Sequence, residues 1–110
     1  MADEALSRMS LSEVSEAIAK RKVSSVEVVR NSLEQLEKHG ETLNCLARLF
    51  AEKALDEAKK ADQELASGNS CGPLHGVPLV HKDMFYRTGQ ISACGSKIRR
   101  NYIPEVTATV

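Results

Sequence analysis

Gly72-Pro73-Leu74-His75-Gly76-Val77-Pro78-Leu79-Val80-His81-Lys82-Asp83 is the stretch on which the reading of this chain turns. Gly72-Pro73 and Gly76 punctuate its start. Val77 to Val80 is then a short apolar run that becomes polar at His81-Lys82-Asp83, a pattern that predicts a loop feeding a short strand. Pro78 has no N–H for a ladder, so it belongs near the strand's start or on an edge. In such a strand Val80 and Lys82 face one way while Leu79, His81 and Asp83 face the other. The Lys82 ammonium then emerges at the strand's polar end, without an automatic pairing to Asp83. A lysine that loses hydration against apolar neighbours becomes a usable base. The plainer reading is a solvated residue at a strand end.

The segment before this stretch reads as helices. Ser10-Leu11-Ser12-Glu13 is a capping-box pattern, followed by Leu11, Val14 and Ile18 as one apolar stripe of a short helix ending near Val23. Ser24-Ser25-Val26-Glu27 repeats the device. Val26, Val29, Leu33 and Leu36 form the next stripe, His39 sits in the last turn, and Gly40 is the natural residue to end it. From Leu43 to Phe50 the period changes. Leu43, Cys45, Ala47 and Leu49 alternate with their neighbours, which predicts a mostly buried strand. Helical period returns from Glu52 to Ala66, with Ala54, Leu55, Ala58, Ala61 and Leu65 on one side and Glu52, Lys53, Asp56, Glu57, Lys59 and Lys60 on the other. The charged side is a solvated face on which Asp56 and Lys60 are spaced for an i,i+4 pair. Ser67-Gly68-Asn69-Ser70 stops that helix.

Composition narrows the function classes. The 110 residues are 42 % hydrophobic and 27 % charged, a globular balance. Fifteen Lys and Arg offset fifteen Asp and Glu, which removes a charge-based case for nucleic acid or an anionic membrane as the main partner. No run approaches the ~20 apolar residues of a membrane span, and MADEALSRMS, with two acids and no apolar core, is not a secretory signal. Three cysteines, Cys45, Cys71 and Cys94, without CxxC spacing suit a reducing compartment. The expected setting is cytoplasmic.

Among chemical motifs, GxGxxG, GxxxxGK[ST] and HExxH are all missing. Cys71, His75, His81 and Cys94 share one stretch, and the Cys71-x3-His75 opening is tolerable for zinc. Their remaining gaps match no compact finger or ribbon, so no metal is expected. The cysteines read instead as small core hydrophobes and the histidines as loop or strand residues. Lys97, Arg99 and Arg100 form a small basic cluster that reads as ordinary surface charge. Lys97 to Tyr102 is too short to assign. The last run, Thr107-Ala108-Thr109-Val110, is β-prone and uncharged, an unusual place for a natural C-terminus, and suggests an intact start and a truncated end.

Residues 72–83, followed by Gly89 and by Ser92-Ala93-Cys94-Gly95-Ser96-Lys97, resemble the N-terminal block of the amidase signature family. Members typically show GPLxGxPxxxKD, a glycine after a short loop, a GS pair and then an apolar run, to whose start Val106 to Val110 is similar. The helices and the expected strand before the motif also fit the family's N-terminal layout. The likeness spans nearly the whole chain, with its specific part confined to residues 72–110. It implies an α/β fold: N-terminal helices and the first strands of a mixed sheet flanked by helices, truncated here. Residues 1–110 would be the N-terminal part of a single amidase domain, with 1–70 a helical segment containing one strand and 71–110 the segment bearing the lysine motif. The implied activity is amide-bond hydrolysis by a Ser–cis-Ser–Lys triad whose lysine falls on Lys82. Both serines belong to a Gly/Ser-rich segment further along, and neither Ser92 nor Ser96 fills their place. The fragment alone is then expected to be inactive and marginally folded.

The same resemblance implies no metal and no organic cofactor. Its partners would be a small-molecule amide substrate and, for assembly, a homodimer or amidotransferase subunits, with no direct nucleic-acid or membrane contact. His81 stands where an apolar residue is more usual, and Phe85-Tyr86-Arg87 differs from the loop of the glutamine-hydrolysing component of tRNA-dependent amidotransferases. These departures favour a stand-alone amidase over that component. The reading from a different class is a non-catalytic helical interaction module.

Overall fold

The computed structural model describes residues 3–109 and divides into two compact units, Met1–Pro78 and Leu79–Val110. The first contains four helices: α1 (Glu4–Ser7), α2 (Leu11–Ala19), α3 (Ser25–Leu43) and α4 (Ala51–Ala66). The capping boxes form as their spacing requires. Ser10 Oγ accepts the Glu13 N–H while the Glu13 carboxylate accepts the Ser10 N–H at 2.7 Å. Ser24 and Glu27 do the same at the start of α3. Each pair satisfies two N–H groups that a helix start leaves without a partner.

The core of this unit is small. Leu6, Ile18 and Val28 are buried, and Val14, Val23, Leu65 and Val77 pack around them. Ile18, only 1 % exposed, contributes ~1.5–3 kcal/mol by its burial. The buried face of α3 is Ser25, Val28 and Val29 rather than the expected stripe alone, in which Val26, Leu33 and Leu36 are half-buried. Helix α4 follows its expected stripe, with Ala58 buried and Ala54, Leu55, Ala61 and Leu65 half-buried. Its ion pairs run differently: Lys59 binds Asp56 at 3.1 Å and Lys60 lies 3.8 Å from Glu64. A short element that the sequence reading passed over, α1, is capped by the Asp3 carboxylate, and its Ser7 Oγ accepts from Asn31 of α3 at 2.9 Å.

The expected α/β architecture is not found. Among the described residues there is no strand and no sheet. Helix α3 continues through Gly40 to Leu43, and Asn44 ends it in the left-handed conformation (φ 49°). Gly40 stays helical and buried because the chain folds back on it, with the Cys45 N–H donating to its carbonyl. Residues 45–50 then form an irregular connection, and Leu43, expected inside a buried strand, is 70 % exposed. The run Val77 to Val80 fares no better: Leu79 and Val80 are exposed and belong to no ladder. The physical reason is common to both. A strand is defined by a neighbouring strand that takes its alternate N–H and C=O groups, and no such ladder forms along these residues among those described.

The second unit is irregular chain held by turns. Arg99 lies over the rings of Tyr102 (4.4 Å to the centroid) and Tyr86 (5.5 Å), and its guanidinium donates to the Tyr86 hydroxyl at 2.5 Å. It is therefore a packing residue of this unit rather than simple surface charge. Ser92 N–H donates to the Tyr102 carbonyl at 2.9 Å, Ala108 N–H to the Tyr86 carbonyl at 2.8 Å, and the Thr88 and Thr107 hydroxyls meet at 2.9 Å. Val110, the end of the expected apolar run, lies outside the described residues.

The caps carry a pH prediction. Hydrogen bonds from the Ser10 and Ser24 backbone N–H groups, then from their hydroxyls, hold the Glu13 and Glu27 carboxyls below the ordinary value of 4.5. A depressed folded-state pKa stabilises above the unfolded value and is lost as pH falls through the folded one. Helical circular dichroism and Tm are expected to be level above about pH 5 and to fall below it. The Glu13→Gln/Glu27→Gln variant, which keeps acceptors that do not titrate, is expected to show a shallower acid slope. An identical slope would mean that the caps contribute nothing to the acid sensitivity.

Candidate functional site

The turn from Cys71 to Val77 is the part of the lysine motif that the first unit fixes. Its own bonds are His75 N–H to the Gly72 carbonyl and Val77 N–H to the Leu74 carbonyl, both 3.1 Å. Three helices then hold it. Ser15 of α2 donates its hydroxyl to the Pro73 carbonyl. Ser25, the buried first residue of α3, donates to the Gly76 carbonyl at 2.5 Å. From α4, the Ala61 carbonyl meets His75 Nε2 at 2.8 Å, and His75 Nδ1 accepts the Cys71 N–H at 3.1 Å. With a carbonyl at one ring nitrogen and an N–H at the other, the His75 ring is fixed in orientation from both sides.

Gly76 is where this clamp closes most tightly. Its φ is +77°, and a Cβ built there would sit 3.0 Å from Ser25 Cβ and 3.5 Å from Ile18 Cγ2. The motif's second glycine is thus required twice, by its backbone conformation and by the approach of α3. Ser25 itself is oriented from behind: Asp62 of α4 accepts the Ser25 and Val26 N–H groups at 2.7 and 3.1 Å, one on each carboxylate oxygen. The sequence reading missed Asp62, Ser15 and Ser25. A signal existed for Asp62, an acid set between Ala61 and Leu65 on the otherwise apolar side of its helix.

Lys82 begins the second unit's turn. Its side chain is exposed, and its carbonyl accepts the Phe85 N–H at 3.1 Å. The Asp83 carbonyl takes the Cys94 N–H at 3.1 Å and the Ser92 hydroxyl at 3.4 Å. Ser92, 2 % exposed, therefore has its hydroxyl turned to the backbone behind Lys82. The apolar neighbours that flank the lysine, Leu79, Val80, Met84 and Phe85, are all exposed.

Of the four residues weighed for zinc, Cys71 and His75 come together, and Glu64 joins them; no metal-ligand grouping among the described residues includes His81 or Cys94. All three cysteines are free and exposed, contrary to the reading of them as core residues. Beside the turn lies an open cleft of about 840 Å³, lined by Glu57, Lys60, Ala61 and Glu64 of α4 and by the chain from Cys71 to Gly76.

Gly76→Ala tests the clamp. It combines left-handed strain with the Ser25 contact, for a loss of about 2–3 kcal/mol by chemical denaturation. Gly68→Ala is its control, since φ there is +80° with nothing within 4 Å of an added Cβ, and it is expected to cost about 1 kcal/mol. Equal losses at the two positions would mean that the approach of Ser25 contributes nothing.

Comparison with known proteins agrees with the motif. The family model described as Amidase matches residues 27–110. The chain is 43 % identical over 101 residues to the A component of the glutamyl-tRNA(Gln) amidotransferase of Dechloromonas aromatica, covering 92 % of this chain and 21 % of that protein. It is 38 % identical over 96 residues to the same amidotransferase component from Lachnospira eligens, covering 87 % of this chain and 20 % of that protein. A protein of Mycobacterium tuberculosis named as the putative amidase AmiD is 36 % identical over 108 residues, covering 98 % of this chain and 23 % of the relative. The chain thus spans about a fifth of the length of these relatives. With the lysine motif inside the matched span, and with relatives under both names, the chain belongs to the amidase family.

Proposed function

We propose that this chain is the lysine-bearing portion of an enzyme that breaks amide carbon–nitrogen bonds, with Lys82 as the proton-transfer group of a Ser–cis-Ser–Lys triad. The observation that carries the reading is the family match across residues 27–110, which contains the whole motif from Gly72 to Asp83. In its neutral form Lys82 takes a proton from the bridging serine, which deprotonates the nucleophilic serine. The nucleophile attacks the amide carbonyl, backbone N–H groups stabilise the oxyanion, and Lys82 returns its proton to the leaving amine. Water then releases the acid. Asp83 supports this chemistry through its carbonyl, which gathers Cys94 and Ser92 behind the lysine.

The substrate is a small amide, and the setting is cytoplasmic. Three free cysteines and the lack of any helix long and apolar enough to cross a membrane, among the described residues, are in keeping with that setting. A second reading rests on the 43 % identity to the Dechloromonas aromatica protein: the amide is glutamine, and the enzyme works with amidotransferase partner subunits.

In a protein of the relatives' length that carries this segment, Lys82→Ala is expected to lower kcat by several orders of magnitude. General base catalysis alone is worth ~10²–10⁴, and the coupled triad adds to it. Lys82→Arg is expected to be nearly as damaging, because a guanidinium does not give up its proton. His81→Ala is expected to be mild. Ammonia release from simple amides and from glutamine separates the two substrates, and the 110-residue chain alone, with one triad member of three, is expected to release none. Near-normal turnover by Lys82→Arg would end the proton-transfer role, and a full-length protein without activity on any amide would favour the non-catalytic module.

A further inference from the structure

Glu64, Cys71 and His75 bring one ligand atom each to a single place, all within 4.8 Å of one another. They lie on the wall of the open cleft between α4 and the Cys71–Gly76 turn. The His75 ring is already held there. Its Nε2 lies against the Ala61 carbonyl at 2.8 Å, and its Nδ1, on the Cys71 side, accepts the Cys71 N–H at 3.1 Å. A ring nitrogen anchored on a carbonyl is the kind of contact that orients metal-binding histidines. Glu64 is half-buried with Lys60 at 3.8 Å as its ion-pair partner, and Cys71 is exposed.

We propose that Glu64, Cys71 and His75 form a three-ligand site for a borderline-soft divalent cation of the zinc class, with water in the fourth position. A thiolate, an imidazole and a carboxylate are the donor types zinc prefers, whereas magnesium and calcium take oxygen. Binding requires Cys71 to lose its thiol proton to solvent, so one proton is released for each ion taken up. The two negative ligands then offset the cation's charge. Rotation of the Glu64 and Cys71 side chains closes the remaining distance, and Nδ1 exchanges the Cys71 N–H for the metal. The ion would tie the turn to the last part of α4, adding a link to those made by Ser15 and Ser25. The site is independent of the amide chemistry proposed above and stands or falls separately from it.

The test is a titration of the reduced, chelator-treated 110-residue chain with Co²⁺, followed by competition with Zn²⁺. The expected result is one equivalent bound, a thiolate-to-cobalt charge-transfer band, the intense visible bands of four-coordinate cobalt, and displacement of both by zinc. Cys71→Ser is expected to abolish the charge-transfer band. Glu64→Gln is expected to weaken binding about tenfold or more, while Cys45→Ser and Cys94→Ser leave it unchanged. His75 is not varied, because its ring also holds the Ala61 carbonyl. The proposal is overturned by the lack of a charge-transfer band, by a band that survives Cys71→Ser, by Glu64→Gln binding as tightly as the parent, or by binding that falls equally when Cys45 or Cys94 is replaced. The last result would mark the scattered thiols of an unfolded chain.

Discussion

The Asp62 carboxylate is the pivot of the first unit. It sits on α4 and accepts the first two N–H groups of α3, one on each oxygen, at 2.7 and 3.1 Å. Those groups have no partner within their own helix, and the positive end of the helix dipole makes a carboxylate the favoured acceptor. Charge-assisted bonds of this kind are worth ~1.5–3 kcal/mol each, against ~0.5–1.5 for neutral ones. In a unit whose central apolar cluster is Leu6, Ile18 and Val28, that contribution is comparable to a core side chain. It also sets the register of α4 along α3, because two oxygens on two successive N–H groups admit little sliding.

Two of the three helix contacts that hold the motif turn, those from α3 and α4, follow from that register. With its N–H taken by Asp62, Ser25 is fixed in place, and its buried hydroxyl is aimed at the Gly76 carbonyl. Gly76 is consequently pressed to within van der Waals contact of Ser25 and Ile18, where only glycine fits. One turn along α4 from Ala58, the Ala61 carbonyl receives His75. Gly76 and His75 of the motif are therefore explained by structure, as parts of a turn moulded by the helices around it. In the second unit, Arg99 between Tyr86 and Tyr102 has the corresponding organising place, and the carbonyl of Asp83 gathers the chain behind Lys82.

How much of this could be read from the sequence depends on how local the determinant is. Capping boxes at Ser10 and Ser24 involve residues three apart, and both are present. The apolar side of α4 is a property of one helix and was legible in full. The strand expected over Leu43 to Phe50 failed because alternation over a few residues is also compatible with an irregular connection, and Asn44 rather than Gly40 took the left-handed cap. The sheet failed for the same reason at Val77 to Val80, where no neighbouring strand is present among the described residues. At the site, the family was legible because the motif is contiguous. Asp62, Ser15 and the Glu64–Cys71–His75 grouping were not, since each depends on residues brought together only by packing.

If Asp62 is the pivot, the cap of α3 and the motif turn form one cooperative structure. Amide hydrogen exchange, compared between the parent chain and Asp62→Ala, tests this most directly. Protection at Ser25 and Val26 must fall in the variant in any case, since their acceptor is gone. Protection at His75 and Val77, whose N–H groups are bonded within the turn, is predicted to fall with it to a similar degree. If His75 and Val77 keep the parent's protection while Ser25 and Val26 lose theirs, the turn is held independently of Asp62, and the pivot assigned to that carboxylate is wrong.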